Sequence, residues 1–357
     1  MKKVLVGMSG GVDSAVVAYL LKKSGYEVIG ITLRTWQSDD GGDSRCCEID
    51  LARETANRIG IKYYPINCTM DFKKYVVDPF IEEYINGMTP NPCVECNRYV
   101  KWDKLLYYSK VLGADYIATG HYATVVKLAN GRYSVKKAID SQKDQTYMLY
   151  KLTQEHLSKT LMPLGNLVKS EVRKIARDVD LQVASKPDSQ EICFVTNGNY
   201  ADFIKYTAKK DSKGEGFFVD TSGNILGKHK GIMHYTIGQR KGLGIVLGYR
   251  AYVKEIRVDR NEVVLGNESS LYHKELLCRD VNFMSISKLD KNEKIRCTVK
   301  ARYRHDGQPA QLVMIDKDMI KVSFYNPVRA ATPGQSAVFY DDEGCIIGGG
   351  IIEKILD

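Results

Sequence analysis

The sequence lacks the features of membrane proteins and of small disulfide-stabilised proteins. No apolar run among its 357 residues approaches the roughly 20 residues of a membrane-spanning helix. The apolar run after Met1 is too short for a signal peptide, and the nine cysteines are an odd number in a chain this long. We therefore expect a cytoplasmic protein with no membrane partner, whose thiols serve chemistry or metal binding.

The sequence also lacks a concentration of charge in one part of the chain. The formal net charge of +9 favours an anionic partner such as nucleic acid, because Lys and Arg supply most sequence-independent affinity for phosphates. The positive excess is small, and it is similar before and after residue 200. Charge alone does not locate a binding face, and a mildly basic enzyme of another kind has the same composition.

The hydrophobic pattern changes near residue 210, and no internal repeat or low-complexity tract interrupts it. Before this point short apolar runs alternate with amphipathic stretches, which predicts an α/β fold with a mostly parallel sheet. After it, β-branched and aromatic runs separated by Gly, Asn and Asp predict a small central β-rich domain and a β-barrel. The predicted domains are residues 1–204, 205–273 and 274–357.

The same patterns predict individual elements. Apolar periodicity of 3.6 residues predicts helices at 14–24, 49–59, 72–86, 99–112, 169–178 and 200–208. Short apolar runs predict strands at 3–7, 27–33, 63–67, 116–119, 217–219, 251–259, 294–303, 310–315, 321–324 and 337–340. Asn130-Gly131 predicts a hairpin between 122–128 and 132–138, because this dipeptide accepts positive φ at little cost.

A glycine-rich segment joins the first predicted strand to the first helix. Glycines let the backbone approach phosphate oxygens, and a helix N-terminus adds N–H donors and a positive dipole end. The candidate phosphate-binding residues are Gly7, Met8, Ser9, Gly10, Gly11, Val12, Asp13 and Ser14. The Gly-Lys-Ser/Thr of the Walker loop is absent, which disfavours transfer of a γ-phosphate. Asp13 is a candidate Mg²⁺ ligand. A glycine-rich turn without a ligand is the structural alternative.

The six residues from Ser9 to Ser14, Ser-Gly-Gly-Val-Asp-Ser, resemble the pyrophosphate loop of the ATP-pyrophosphatase superfamily. This resemblance implies that residues 1–204 form the catalytic domain and use ATP with Mg²⁺. It also implies adenylation of a carbonyl oxygen with release of pyrophosphate. The superfamily includes GMP synthetase, argininosuccinate synthetase and tRNA thiolases, and the loop alone does not choose among them.

Two cysteine motifs narrow the choice. Asn91-Pro92-Cys93-Val94-Glu95-Cys96-Asn97 and Asp188-Ser189-Gln190-Glu191-Ile192-Cys193-Phe194 resemble those of bacterial tRNA-uridine 2-thiolases. Further matching segments follow in order at 46–47, 119–123, 143–149, 234–242, 301–304 and 332–335, so the resemblance covers nearly the whole chain. It implies ATP-dependent 2-thiolation of the wobble uridine, U34, in the tRNA anticodon stem-loop, with sulfur supplied by a persulfide-carrying donor protein.

The resemblance also implies roles for individual residues. Cys193 would receive sulfur as a persulfide. Cys96 would be the second thiol, which forms a disulfide with Cys193 when the outer sulfur is transferred to the base. Leu33 and Gly120 would join the loop in binding ATP. The positions that contact tRNA in the family correspond to Asn91, Pro92, Cys93, His121, Lys143, Asp144, Gln145, Arg302, Tyr303 and Gln335.

Several of these residues have structural alternatives. His121 could be an internally bonded histidine at a strand end, and Arg302 could belong to the solvent face of a barrel strand. The remaining cysteines are interpreted as structural, because unpaired cysteine often behaves as a small buried hydrophobe; they are Cys46, Cys47, Cys68, Cys278, Cys297 and Cys345.

One residue departs from the family pattern. Many members carry Asp where this chain has Cys93, so a carboxylate that could act as acid or base is lost. Cys93, Cys96 and Cys193 could instead hold three irons of a [4Fe-4S] cluster, whereas a zinc site would lack a fourth ligand. Persulfide relay and cluster chemistry therefore both stay open.

Two alternatives to tRNA thiolation also stay open. One is a ligase of the same superfamily that adds nitrogen to a small molecule, and the other is a non-catalytic tRNA-binding module.

Overall fold

The chain folds around a parallel sheet, a small mixed sheet and a closed barrel. The computed structural model describes residues 1–37, 48–187, 192–195, 200–208 and 213–356. None of the helices in this part has both the length and the apolar character needed to cross a membrane. The predicted α/β class with a C-terminal barrel is confirmed.

The strands of the described residues are β1 (Lys3–Gly7), β2 (Glu27–Arg34), β3 (Lys62–Asn67), β4 (Tyr116–Ala118), β5 (Ala123–Lys127), β6 (Tyr133–Lys137), β7 (Thr160–Leu161), β8 (Gly216–Val219), β9 (Ile225–His229), β10 (Tyr252–Arg257), β11 (Glu262–Gly266), β12 (Tyr272–Phe283), β13 (Lys294–Lys300), β14 (Gln308–Asp316), β15 (Met319–Arg329), β16 (Ser336–Tyr340) and β17 (Ile346–Ile355).

The α-helices of the same residues are α1 (Val12–Lys23), α2 (Ile49–Ile59), α3 (Thr69–Phe72), α4 (Asp78–Ile85), α5 (Pro92–Glu95), α6 (Asp103–Val111), α7 (Gln154–Ser158), α8 (Lys169–Asp178) and α9 (Tyr200–Ala208). Short 3₁₀ helices cover Thr146–Leu149, Pro163–Asn166, Gln182–Ser185, Ile232–His234 and Glu268–Leu271. Two π-helical segments, Lys73–Val77 and Cys96–Trp102, make continuous helices of 69–85 and 92–111.

The N-terminal sheet has the order β3-β2-β1-β4-β7, and all of its strand pairs are parallel. Its centre is β1, where Val4, Leu5 and Val6 are fully buried. A strand covered on both faces requires such a continuous apolar run. The carboxyl end of β1 therefore opens directly into the glycine-rich loop and α1, which is where ligands bind in open α/β sheets.

The C-terminal strands form a closed antiparallel barrel in the order β12-β15-β14-β13-β16-β17. Alternate side chains, among them Leu312, Met314, Ile320 and Val322, fill its interior. The central part of the chain forms a four-stranded sheet in the order β10-β11-β8-β9. The predicted fold class of these two parts is confirmed, while the domain boundaries at 204 and 273 stay predictions.

The barrel is docked against the segment that follows the β5–β6 hairpin. Lys151 is 7% exposed and lies between two carboxylates, with its Nζ 2.6 Å from Glu95 and 2.7 Å from Asp280 of the barrel. Tyr147 Oη donates to the carbonyl of Ser336 at 2.7 Å. One apolar cluster also joins Tyr150 to barrel residues such as Ile346. The N-terminal domain and the barrel therefore share a core.

The sequence predicted some elements closely and missed others. The helices 169–178 and 200–208 and the hairpin of β5 and β6 are confirmed. The helix predicted at 99–112 in fact begins at Pro92, because α5 and a π-helical segment precede it. The longest omissions are β12 and β17. The strand β17 was not predicted because it contains Gly348-Gly349-Gly350, and glycine is normally depleted in strands.

These glycines are required by close approaches. A Cβ on Gly349 would lie 2.6 Å from Cδ2 of Tyr150 and 2.9 Å from the carbonyl oxygen of Ala337. We expect Gly349→Ala to lower the free energy of unfolding by about 1–3 kcal/mol, because an extra methyl group overpacks this contact. The measurement is the urea-unfolding midpoint.

The matched control is Gly214→Ala, where a Cβ would meet no atom within 4 Å. This control should unfold at nearly the wild-type urea concentration. Equal midpoints for the two variants would contradict a tight contact between β17 and Tyr150.

Candidate active site

The glycine-rich loop is folded by its own serines. Ser9 N–H donates to Ser14 Oγ at 3.2 Å, and Ser14 Oγ donates to the carbonyl of Gly11 at 3.1 Å. Gly11 is the N-cap of α1, and no side chain of the described residues caps this helix. Its first-turn N–H groups are therefore available for an anion.

Two glycines fit the loop tightly to its surroundings. Gly10 has φ of +79°, and a Cβ there would lie 2.8 Å from Cβ of Glu48. A Cβ on Gly120 would lie 2.8 Å from the backbone nitrogen of Ser14. The segment after β4 thus packs directly on the start of α1, which places Gly120 beside the loop.

The loop carboxylate is fixed by Lys169, which the sequence did not single out, and by Tyr122 of the segment 119–123. Lys169 Nζ lies 2.8 Å from Oδ1 and 2.7 Å from Oδ2 of Asp13. Tyr122 Oη donates to Asp13 Oδ1 at 2.8 Å. On the other side of the loop, Lys186 donates to the carbonyl of Gly10 at 3.2 Å and contacts Glu48. Two lysines therefore flank the loop.

A cleft of about 850 Å³ opens beside the loop, between the N-terminal domain and the barrel. One wall is the turn between β13 and β14, which contributes Tyr303, Arg304 and His305. The predicted site residues that line this main cleft are Gly7, Met8, Ser9, Gly11, Val12, Asp13, Ser14, Leu33, Gly120, His121, Lys143, Asp144, Gln145 and Tyr303.

The main cleft is electropositive. Among the described residues, seven cationic side chains line it against three carboxylates, Asp13, Asp144 and Asp306; the cations are Lys101, Lys137, Lys143, Lys169, Lys186, Lys300 and Arg304. Burial lowers the pKa of His305 to about 4. Burial and the nearby Lys101 also hold the pKa of His121 well below its usual value. The positive field at neutral pH therefore comes from Lys and Arg and suits phosphate groups.

The predicted tRNA contacts in this region have internal partners. Asp144 accepts hydrogen bonds from Ala138 N–H at 3.1 Å and Thr146 Oγ1 at 2.7 Å. Gln145 Oε1 accepts from the backbone of Tyr122 at 2.9 Å. These two side chains shape the rim of the cleft. Contact with tRNA stays a prediction for both.

Cys96 lies at the start of the π-helical segment and is 6% exposed, within the apolar core of the N-terminal domain. The helix is fixed around it, since Asn97 donates to the carbonyl of Met148 at 3.0 Å and Trp102 Nε1 donates to Thr160 Oγ1 at 2.9 Å. Lys101, in the same π-helical segment, lines the main cleft, whereas Cys96 does not.

Cys193 is partly buried and packs against the same apolar core as Cys96. Its neighbour Phe194 is fully buried and contacts Phe72 and Phe80, with ring centroids 5.5 Å and 5.2 Å away. Phe194 thus anchors the cysteine to the helix 69–85. Residues 188–191 of this motif, and Cys46-Cys47, lie outside the described residues.

Cys93 differs from the other two motif cysteines, because it is exposed. Burial raises the pKa of Tyr303, and Asp144 and Cys93 act in the same direction, which places Cys93 near the rim of the main cleft. Within the described residues, which include Cys93, Cys96 and Cys193, no three His, Cys, Asp or Glu side chains are grouped to hold a metal ion. The three cysteines therefore do not form a preassembled cluster site.

Four predicted tRNA contacts lie away from the main cleft. Asn91 and Pro92 line a small cavity near Glu83 and Gly334. Gln335 Nε2 donates to the carbonyl of Thr89 at 2.8 Å, which ties the barrel to the segment before Pro92. Arg302 lines a separate pocket. Their roles in tRNA binding stay predictions.

Sequence reasoning missed the cleft lysines Lys101, Lys137, Lys169, Lys186 and Lys300. None of them belongs to a recognisable motif. Lys169, for example, is 156 residues from the carboxylate that it contacts. Only the folded chain brings these cations to the loop.

Family models match almost the whole chain. The tRNA methyl transferase HUP domain matches residues 2–197, the tRNA methyl transferase PRC-barrel domain residues 201–267, and the aminomethyltransferase beta-barrel domain residues 273–352. The tRNA-specific 2-thiouridylase MnmA of Lachnoclostridium phytofermentans is 51% identical over 99% of this chain and 100% of its own. That of Clostridioides difficile is 50% identical over 99% of each chain.

Among solved structures, the U34-tRNA thiolase NcsA from Methanococcus maripaludis with its [4Fe-4S] cluster is 22% identical and covers 58% of this chain and 65% of its own, with a TM-score of 0.36. At that TM-score the likeness does not bear on a cluster in this protein. The full-length matches at about half identity decide the relationship. The chain belongs to the tRNA-specific 2-thiouridylase (MnmA) family.

Proposed function

We propose that this protein catalyses ATP-dependent 2-thiolation of the wobble uridine, U34, of tRNA, producing 2-thiouridine, AMP and pyrophosphate. The observation that carries the proposal is the main cleft, in which a pyrophosphate-type loop faces a basic turn of the barrel. A nucleotide-activating loop and a surface suited to RNA therefore share one cavity. Membership of the thiouridylase family supports the choice of reaction.

In the first step, the C2 oxygen of uridine attacks the α-phosphate of ATP, and pyrophosphate leaves. The N–H groups at the start of α1 and the flanking Lys169 and Lys186 would stabilise the charge that collects on the departing pyrophosphate. Asp13 would join the ATP phosphates in holding Mg²⁺, which commonly needs only one or two protein carboxylates. AMP is a far better leaving group than hydroxide, so C2 becomes open to attack.

In the second step, the outer sulfur of a Cys193 persulfide attacks C2, and AMP leaves with the bonding electrons. The Cys96 thiolate then attacks the inner sulfur of Cys193 and breaks the sulfur–sulfur bond. The products are 2-thiouridine and a Cys96–Cys193 disulfide. The two cysteines are oxidised as the transferred sulfur is reduced, and an external thiol reductant restores them before the next turnover.

The positions of the cysteines support a relay that is completed only with substrate. Both lie against one apolar core, and Cys96 is buried within it. We propose that tRNA binding exposes Cys96 to the cleft. The proposal also includes a persulfide-carrying donor protein that loads Cys193, and a cytoplasmic location. No step of this proposal is assigned to an iron–sulfur cluster, because Cys96 and Cys193 are sufficient to balance the sulfur transfer.

The function is tested by incubating the protein with unmodified tRNA, ATP, a persulfide donor and a thiol reductant, then measuring 2-thiouridine by nucleoside mass spectrometry and AMP in parallel. We expect one AMP for each 2-thiouridine. Cys96→Ser and Cys193→Ser should each lower thiolation at least 100-fold, because each removes a sulfur that the chemistry requires. Adenylation, and hence pyrophosphate release in a single turnover, should persist in both variants, because AMP stays bound to the uridine until sulfur displaces it.

The matched control is Cys68→Ser, a buried cysteine of the same domain that lies outside both motifs. Its thiolation per folded molecule should stay close to that of the wild type. Thiolation that survives both motif substitutions, or ATP turnover that ignores tRNA, would favour a small-molecule ligase. Binding of tRNA without AMP formation would favour a non-catalytic module.

Lys169→Ala tests the role of the loop lysine. Loss of this cation removes a charge-assisted contact near the phosphates and leaves Asp13 with Tyr122, so kcat/KM for ATP should fall about 10- to 100-fold. Single-turnover AMP formation at varied ATP measures the effect. Lys174→Ala, an exposed lysine of α8, is the control. Equal values for the two variants would exclude Lys169 from adenylation.

A further inference from the structure

A second cavity lies between the central sheet, α9 and the barrel. This central pocket has a volume of about 630 Å³ and includes Tyr200, Lys228, Lys230, His234, Gln239 and Arg302 in its lining. It is separate from the main cleft, because the two cavities have no lining residue in common. None of the steps proposed above uses it.

The central pocket has the chemistry of an anion site. Lys228, Lys230 and Arg302 are its charged groups, and no Asp or Glu lines it within the described residues. Burial lowers the pKa of His234, although Asp202 opposes this shift, so its imidazole is mostly neutral at pH 7. The rings of Tyr200 and Tyr235 add flat apolar surface. Cationic groups beside aromatic rings are suited to a polynucleotide strand.

The pocket is preformed by contacts between the central sheet and the barrel. Arg302 Nη2 donates to the carbonyl of Ile237 at 2.8 Å and also contacts Thr332 Oγ1, so its guanidinium is fixed in place. Gly238 has φ of +87°, and a Cβ there would lie 2.8 Å from Cβ of Ala330. The segment 234–242 matches the family pattern but has no role in the steps above. It forms one wall of this pocket.

The central pocket and the main cleft share a wall. Arg302 lines the pocket, while the next residues, Tyr303 and Arg304, line the cleft. Consecutive Cα atoms are about 3.8 Å apart, so Arg302 and Arg304 are within roughly 7 Å of each other along the backbone. A polynucleotide strand that enters the cleft can therefore continue into the pocket over a distance of about one nucleotide.

We propose that the central pocket binds the sugar-phosphate backbone of the substrate tRNA next to the nucleotide held in the main cleft. This inference rests on the proposed function, because it assumes that tRNA is the substrate. Lys228 and Lys230 contact phosphate oxygens, and Arg302 fixes the path of the strand between the two cavities. The pocket therefore contributes to the affinity for tRNA and to the position of the strand relative to the main cleft, but it takes no part in the chemistry.

The test is the double variant Lys228→Ala/Lys230→Ala in the full-length protein. Both lysines are exposed on the central sheet or just after it, so the fold should be retained. Binding of unmodified tRNA is measured at several salt concentrations. We expect affinity to fall about 10-fold or more, and the slope of log K against log salt to decrease by about 1–2, one phosphate contact for each lysine.

The matched control is Lys291→Ala/Lys317→Ala. These lysines are exposed in turns at the opposite end of β13 and β14 from the cleft. Removing them changes the net charge equally but should leave affinity and salt slope near the wild-type values. Equal affinity and slope for the two double variants would overturn the proposal.

Two further measurements separate the remaining outcomes. Thiolation by the wild-type protein reports on the proposed function itself, so absence of 2-thiouridine there is distinct from failure of the pocket. Free AMP and inorganic phosphate are titrated as separate probes. If Lys228→Ala/Lys230→Ala loses binding of AMP or phosphate but keeps wild-type tRNA affinity, the pocket is a small-anion site and the proposal is wrong.

Discussion

The docking of the barrel on the segment 147–151 is the constraint on which the site depends. Lys151, almost completely buried between carboxylates of the two domains, and Tyr147, bonded to a barrel carbonyl, fix the barrel relative to the N-terminal sheet. This placement brings the β13–β14 turn opposite the glycine-rich loop. The loop forms one wall of the main cleft, and the turn of the barrel forms another.

The same docking explains why the two cavities are neighbours. Arg302 follows β13 and faces the central sheet, whereas Tyr303 and Arg304 face the main cleft. One short turn of the barrel therefore borders both cavities. Because Arg302 Nη2 donates to the carbonyl of Ile237, this turn is tied directly to the segment that follows β9.

Local sequence predicted the parts of the site that are local in structure. The position of the loop between β1 and α1 was predicted directly, because its glycines follow a short apolar run and precede a helical pattern. The hairpin at Asn130-Gly131 was equally local. The lysine that holds Asp13 could not be predicted, because 156 residues separate the pair. The strand β17 was missed because Gly349 fits against Tyr150, a contact that only the fold reveals.

For the motif cysteines, spacing in the sequence and exposure in the structure give different information. Their spacing left a cluster and a relay equally open, but Cys93 is exposed while Cys96 is buried in the apolar core. A preassembled cluster needs its ligands grouped before substrate arrives, whereas a relay needs two thiols that meet during turnover. We propose the relay for this chain, with tRNA binding as the event that exposes Cys96 to the cleft.

The most direct test is to assay iron, acid-labile sulfide and tRNA thiolation on one preparation purified without air. The relay predicts that protein free of iron thiolates unmodified tRNA when given ATP, a persulfide donor and a thiol reductant. Activity that appears only with about four irons per chain, and that rises and falls with iron content, would contradict it and assign Cys93, Cys96 and Cys193 to a cluster.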